Sequence, residues 1–324
     1  MITVFGAGAI GLTLAARLAR AGRAVRVCTR RAEDAAQLER DGIAVEEPET
    51  GAVWTARVLA HAGPPIAESD WIFACVRVPQ TEAAAIAIAA ASPDARILNV
   101  QNGVDGDALF AARFARVLGA VIRQGCTRVD ATRVRSIASG RIAVGRVPSG
   151  ADAEVEDVAA LLRDAGYDVG VSPRIAEDRW LKLCINLMST PNALVRPIDH
   201  EKPAFAIGKA RLLEEARDAL RAAGIAARSC DGRDASLDLE IARLRSGRSG
   251  GARRLPIYNS LWQALRRGAP LEADGCHRIV IELGARHGVA TPVNARALAA
   301  VQRVVADSLG PESLDVADVL GDTA

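Results

Sequence analysis

The sequence is poor in lysine, has no paired cysteines and carries almost no net charge. Of 41 basic residues only three are lysines, Lys182, Lys202 and Lys209. Arginine stands nearly everywhere else, as nucleotide bias would produce. Arginine keeps its proton near neutral pH, whereas a desolvated lysine releases it. A lysine retained in an apolar segment is therefore a candidate for chemistry. The formal charge of +2 gives no general attraction to nucleic acid or to an anionic membrane. The six cysteines, at 28, 75, 126, 184, 230 and 276, are dispersed without a C-x-x-C pair. Neither a disulfide framework nor a zinc site is expected, and reduced thiols are the plain reading. The four histidines, at 61, 200, 277 and 287, are equally scattered, so no metal site is expected. No run is long and apolar enough to span a bilayer. The opening stretch, "MITVFGAG", runs into a glycine turn instead of a small-residue cleavage site. A secretory leader is not expected, and a cytoplasmic location is.

What is present suits about two domains, with 50% of the 324 residues hydrophobic and 25% charged. The first half alternates short apolar runs with helical patterns, the mark of an α/β, doubly wound parallel sheet. Strands are expected at 2–6, 24–30, 71–76, 96–100, 117–122 and 167–172, with a hairpin over 43–58. The stretches "TRVDATRVRSIA" and "GRIAVGRV" are expected to form an antiparallel edge. Beyond Pro173 the pattern is helical, with helices expected at 175–190, 204–224, 233–246, 257–267, 272–287 and 294–308. The expected division is 1–173 for a nucleotide-binding half and 174–324 for an all-helical half. The arginines of the loop 245–256 read as solvated. No internal repeat or low-complexity segment is found.

Gly6, Gly8 and Gly11 in "GAGAIG" satisfy G-x-G-x-x-G directly between a strand and an amphipathic helix. That context gives the pattern its meaning. The first glycine permits the turn, the second lets backbone approach a pyrophosphate, and the third lets helix and strand pack closely. The N–H groups around Ala9 and Ile10, at the helix N-terminus, would face the pyrophosphate. Where an NAD site places an acidic residue after the second strand, this chain has Thr29, Arg30 and Arg31. Guanidinium binds a 2′-phosphate that a carboxylate repels, so NADP is favoured. Glu33 lies a little further on and keeps NAD open.

In "RWLKLCINLMST" (179–190), Lys182, Asn186 and Thr190 recur every fourth residue among apolar side chains. A helix apolar on nearly every side is buried, and polar groups stand there only where something uses them. Together, "GAGAIG", "NVQNGV" (99–104), "WLKLCIN" (180–186) and "SLWQALRRGAPLEAD" (260–274) resemble the ketopantoate reductase (2-dehydropantoate 2-reductase) family over roughly residues 1–308.

The resemblance implies an N-terminal Rossmann domain that binds NADPH and a C-terminal helical domain that closes over a 2-keto acid. It implies reduction of ketopantoate to pantoate, in pantothenate and coenzyme A biosynthesis. Lys182 matches the catalytic lysine, and Glu272 the acidic residue near lysine and substrate hydroxyl. Asn102 matches the asparagine beside nicotinamide and substrate. Asn186, Thr190 and Ser260 fall at substrate-binding positions, and Arg77 and Gln80 at cofactor contacts. The chemistry agrees: hydride addition charges the carbonyl oxygen, and an ammonium both stabilises that charge and supplies the proton.

Departures from the family pattern bear on the substrate. Position 190 carries a hydroxyl where an amide is expected, Ile257 stands where another asparagine is expected, and the loop 195–205 is atypical. Reduction of a different small 2-keto acid on the same scaffold is thus an alternative, and a non-catalytic NADP-sensing regulator is a third. The apolar helical half is compatible with a homodimer.

Overall fold

The structure, a computed structural model, describes residues 1–47, 50–64, 69–136, 140–246, 259–268 and 273–322. The chain divides into two compact units, Met1–Asp178 and Arg179–Ala324.

The strands of the first unit are β1 (Ile2–Phe5), β2 (Val25–Thr29), β3 (Ile43–Glu46), β4 (Val53–Ala56), β5 (Leu59–Ala62), β6 (Trp71–Ala74), β7 (Arg96–Asn99), β8 (Arg116–Arg123), β9 (Cys126–Arg128), β10 (Arg133–Ser136), β11 (Arg141–Arg146) and β12 (Asp168–Val171). Eight form one sheet in the order β12-β11-β8-β7-β6-β1-β2-β5. From β8 to β5 every neighbouring pair is parallel, with Val4 opposite Val27 on one side and Phe73 on the other. Its helices are α1 (Ala9–Arg20), α2 (Ala32–Asp41), α3 (Thr81–Ala91), α4 (Gly106–Ala111) and α5 (Ala153–Asp164).

Alternation along each strand sends neighbouring residues to opposite faces. Val4, Phe73, Leu98 and Leu118 pack with Leu14 and Leu18 of α1 and Val155 and Val158 of α5. Ile72, Ile97 and Val117 pack with Ala85 and Ile88 of α3 and Phe110 of α4. Helices therefore cover both faces, the doubly wound Rossmann arrangement expected from the alternating pattern.

The hairpin expected at 43–58 forms as β3–β4, with Ile43 opposite Ala56. The antiparallel edge is arranged differently from the expectation. β9 and β10 pair with each other and join β3 and β4 in a separate four-stranded sheet, whereas β11 turns back antiparallel onto β8. Alternation in both stretches fixed strand character but carried no partner.

The second unit is helical: α6 (Ile175–Leu187), which begins in the first unit, then α7 (Ser189–Leu194), α8 (Pro203–Ala222), α9 (Leu237–Arg245), α10 (Ser260–Arg266), α11 (Ala273–His287), α12 (Pro292–Ala306) and α13 (Val316–Leu320). Its core gathers Leu194, Leu212, Leu261, Val301, Val304 and Leu320, among others. The helix expected to run from 175 to 190 stops at Leu187 and restarts at Ser189. Pro191 has no N–H to give the Leu187 carbonyl, which ends the regular ladder. Among the described residues no helix is long and apolar enough to cross a membrane.

Candidate active site

The sequence-predicted residues of the first unit gather along one edge of the sheet, at the carboxyl ends of adjacent parallel strands. β1 lies between β2 and β6, and the chain leaves it in opposite lateral directions, a topological switch point where open α/β sheets bind ligands. Gly6 follows β1 with φ +119, and a Cβ there would lie 2.8 Å from the Cys75 carbonyl carbon. A Cβ on Gly11 would lie 2.0 Å from Gly6 O. Both glycines are demanded by packing. Gly8 is not: a Cβ there meets nothing within 4 Å. It is exposed and caps α1 without a side-chain acceptor. The N–H groups of Ala9, Ile10 and Gly11 have no acceptor within the helix. An open approach to an uncapped helix N-terminus fits a dinucleotide pyrophosphate.

Beyond β2, the Thr29 hydroxyl donates to Arg31 O at 2.8 Å and turns the chain into α2. Arg31 is already engaged: its Nη2 lies 2.6 Å from Asp34 Oδ1. That hydrogen bond holds the Asp34 carboxyl below its usual range. Arg30 is exposed and makes no ion pair among the described residues. Of the two arginines, only Arg31 is held in an ion pair among the described residues.

After β6, Arg77 is exposed and starts a short 3-10 turn, Val78–Gln80. Gln80 Oε1 accepts from Arg77 N at 3.4 Å, so this amide is partly engaged by its own turn. Asn102, exposed beyond β7, stands on a loop fastened from beneath. Gln101 donates to Val76 O at 2.9 Å and accepts from Thr81 Oγ1 at 3.0 Å. Asn99 donates to Asp107 Oδ1 at 2.8 Å. Gly103, with φ +89, completes the turn. These buried polar groups were missed as site scaffolding by the sequence reading, although "NVQNG" contains two of them. Behind the glycine turn, burial raises the Cys28 thiol to about 12 and holds Cys75 protonated as well.

In the second unit, Lys182 and Asn186 lie one turn apart on α6 and are half-buried, between fully buried Leu181, Leu183, Cys184 and Leu187. Thr190, on α7, is 1% exposed, and its Oγ1 is 2.9 Å from His277 Nε2. Ser260 is the exposed first residue of α10. The preceding Asn259 caps that helix by accepting from Trp262 N at 2.9 Å and donates from Nδ2 to Ser189 O at 2.8 Å. Ser260 is thereby held beside the α6–α7 corner. Glu272 and Ile257 lie outside the described residues, as does most of the loop 245–256. The atypical loop 195–205 is locked by Asp199, which is paired with Lys202 at 2.5 Å and Arg196 at 3.2 Å.

Sequence reasoning did not find His277, Asn259, Asn294 or Glu215. Asn259 had a legible signal, an N-cap residue directly before a helix. The other three sit on unrelated helices, and no spacing joins them. Among the described residues no group of histidine, cysteine and acidic side chains is arranged to hold a metal.

Comparison with known proteins agrees with this geometry. A family model described as ketopantoate reductase PanE/ApbA matches residues 2–149, and the model of its C-terminal part matches 174–305. The chain is 30% identical over 308 residues to the 2-dehydropantoate 2-reductase of Caulobacter vibrioides, covering 92% of this chain and 97% of that protein. The PanE/ApbA family ketopantoate reductase of Ralstonia eutropha JMP134 superposes with a TM-score of 0.77 at 22% identity, over 95% of this chain and 99% of that one. A D-mandelate dehydrogenase solved with NADH and anilino(oxo)acetate superposes at 0.79 with 17% identity, over 95% and 99%. The glycine turn at the sheet edge and the lysine–asparagine helix thus stand in a chain that belongs to the ketopantoate reductase family, an oxidoreductase of 2-dehydropantoate 2-reductase type.

Proposed function

We propose that this protein reduces 2-dehydropantoate to pantoate with NADPH, and that Lys182 stabilises and protonates the carbonyl oxygen. The observation that carries the reading is the pair Lys182 and Asn186, half-buried one turn apart on α6 and flanked by buried Leu181, Leu183, Cys184 and Leu187. NADPH, when bound, supplies the hydride. Gly6, Gly8 and the N–H groups of Ala9, Ile10 and Gly11 would hold its pyrophosphate, and Arg30 its 2′-phosphate. Arg77, Gln80 and Asn102 would border it at the same strand ends. Arg31 supports the arrangement by ordering the start of α2 through Asp34.

The ammonium of Lys182 meets the negative charge that develops on the oxygen and then gives up a proton. Partial burial strengthens that interaction relative to water. Asn186 and Ser260 orient the keto acid, and the acidic role beside the lysine is the one that the resemblance implies for Glu272. The division 1–173 for cofactor and 174–324 for substrate and catalysis is part of this proposal.

A second reading is reduction of another small 2-keto acid. It is favoured by Thr190, whose hydroxyl is turned to His277, and by Ile257 in place of an amide. The assay that tests the proposal is NADPH oxidation with 2-dehydropantoate, pantoate being identified as product, beside a panel of branched and aromatic 2-keto acids. Turnover of 2-dehydropantoate with the highest kcat/KM supports the first reading. Preference for another acid replaces it with the second, and cofactor binding without turnover of any acid defeats both.

A further inference from the structure

The resemblance assigns Thr190 to the substrate, yet this residue is buried against His277, which is itself 0% exposed. The direction of each hydrogen follows from the far end of the chain of contacts. Asn294 Nδ2 lies 2.8 Å from Glu215 Oε2 and 3.2 Å from Leu212 O. A carboxylate and a carbonyl only accept, so the amide nitrogen faces them and Asn294 Oδ1 faces the imidazole. His277 Nδ1 is 2.9 Å from that oxygen and must carry the hydrogen. Desolvation keeps the ring neutral, its pKa lowered to about 4. A neutral ring protonated at Nδ1 has a bare Nε2, so the Thr190 hydroxyl donates to it.

The sequence of donors runs Thr190 to His277 to Asn294 to Glu215. Its end is anchored, because Glu215 accepts from Val293 N at 2.8 Å and Asn294 N at 2.9 Å in the first turn of α12. A carboxylate is favoured at a helix N-terminus. Four helices, α7, α11, α12 and α8, are joined by this one path. The corner that it fixes also bears the Ser189 carbonyl, onto which Asn259 hangs the helix of Ser260.

We infer that His277 is a positioning residue for keto acid binding: as a neutral Nδ1–H imidazole it takes the only hydroxyl hydrogen of Thr190, fixes the Ser189–Thr190 corner and thereby sets where Ser260 stands. Thr190 then offers the substrate no donor. The inference rests on reading Ser260 as a keto acid contact.

Two measurements test it. In the full-length enzyme, Thr190→Val keeps the shape and removes the donated hydrogen, whereas Thr190→Ser keeps it. A displacement of an ångström at a binding group is enough to raise KM for 2-dehydropantoate on the order of tenfold in Thr190→Val, with kcat changing less and NADPH affinity unaffected. Thr190→Ser recovers a KM near the wild-type value. Independently, 15N NMR of the imidazoles at neutral pH shows a neutral Nδ1–H ring that disappears in His277→Gln, and it needs no folded Thr190→Val. A wild-type KM in Thr190→Val, or an Nε2–H tautomer at His277, overturns the inference. Wild-type enzyme that does not turn over 2-dehydropantoate instead overturns the functional reading and the role of Ser260 with it, whichever tautomer the spectrum shows.

Discussion

Replacing Gly8 and Gly11 separately with alanine separates cofactor binding from folding, because the same methyl group meets opposite surroundings at the two positions. At Gly11 the added carbon would lie 2.0 Å from Gly6 O. An ordinary carbon–oxygen approach is about 3.3 Å, so the overlap exceeds an ångström. The obstructing atom is backbone, and no side chain can swing away. Relief requires opening the turn or tilting α1 off β1, with an overpacking cost of about 3 kcal/mol. For a unit of this size that lowers Tm by roughly 6–12 °C.

At Gly8 the methyl meets nothing within 4 Å, and the backbone at φ −78 and ψ 179 suits alanine. Stability should change by less than about 1 kcal/mol. The methyl nevertheless stands where an anion approaches the first N–H groups of α1. Loss of one charge-assisted hydrogen bond, about 1.5–3 kcal/mol, weakens NADPH roughly 10- to 150-fold. Thermal unfolding and NADPH fluorescence titration of both variants measure the two effects. A Gly8→Ala protein that binds NADPH as tightly as wild type excludes an anion site at the start of α1, and a Gly11→Ala protein as stable as wild type excludes the clash with Gly6 O.

Other perturbations give equally direct expectations. Arg30→Ala should weaken NADPH by about 2 kcal/mol, or roughly thirtyfold, and leave NADH nearly unchanged; equal losses for both cofactors in binding titrations contradict the 2′-phosphate role. Arg31→Ala should act less on the cofactor and more on local stability, since its guanidinium is already held by Asp34 at 2.6 Å; a larger NADPH loss than in Arg30→Ala would reverse the assignment. His277 has its pKa lowered to about 4 from the ordinary histidine value of 6.5, mainly by burial, so the unfolded chain takes up a proton there first as pH falls. Stability from the neutral ring is complete above about pH 6.5 and is lost towards pH 4, by about 3 kcal/mol in total; urea unfolding that shows no such decline relative to His277→Gln would exclude it. Burial holds the Cys75 thiol protonated, so it should resist alkylation at pH 8 in the folded enzyme; rapid labelling by mass spectrometry would contradict this.

Much of the first unit was legible because its signals are local. A strand, three glycines and an amphipathic helix within the first 20 residues define the turn without help from distant contacts. The same holds for the alternating apolar runs that became the parallel sheet. The pairing of β10 with β3 was not legible, since Val134 and Val45 are distant in sequence and alternation does not name a partner. In the second unit, the four-residue spacing of Lys182 and Asn186 marks one helix face directly. Thr190 extends that spacing on paper, but Pro191 breaks the ladder and the side chain turns to His277. A histidine on α11, an asparagine on α12 and a glutamate on α8 meet only after the helices have packed. No periodicity in a single sequence encodes that meeting.

The role of Lys182 is tested most directly by a single-turnover measurement. Lys182→Ala enzyme is loaded with NADPH, mixed with saturating 2-dehydropantoate, and followed by the loss of reduced-nicotinamide absorbance. If the lysine has that role, NADPH affinity stays within about twofold of wild type and hydride transfer slows by a factor on the order of 10²–10³. Hydride transfer at the wild-type rate would contradict it.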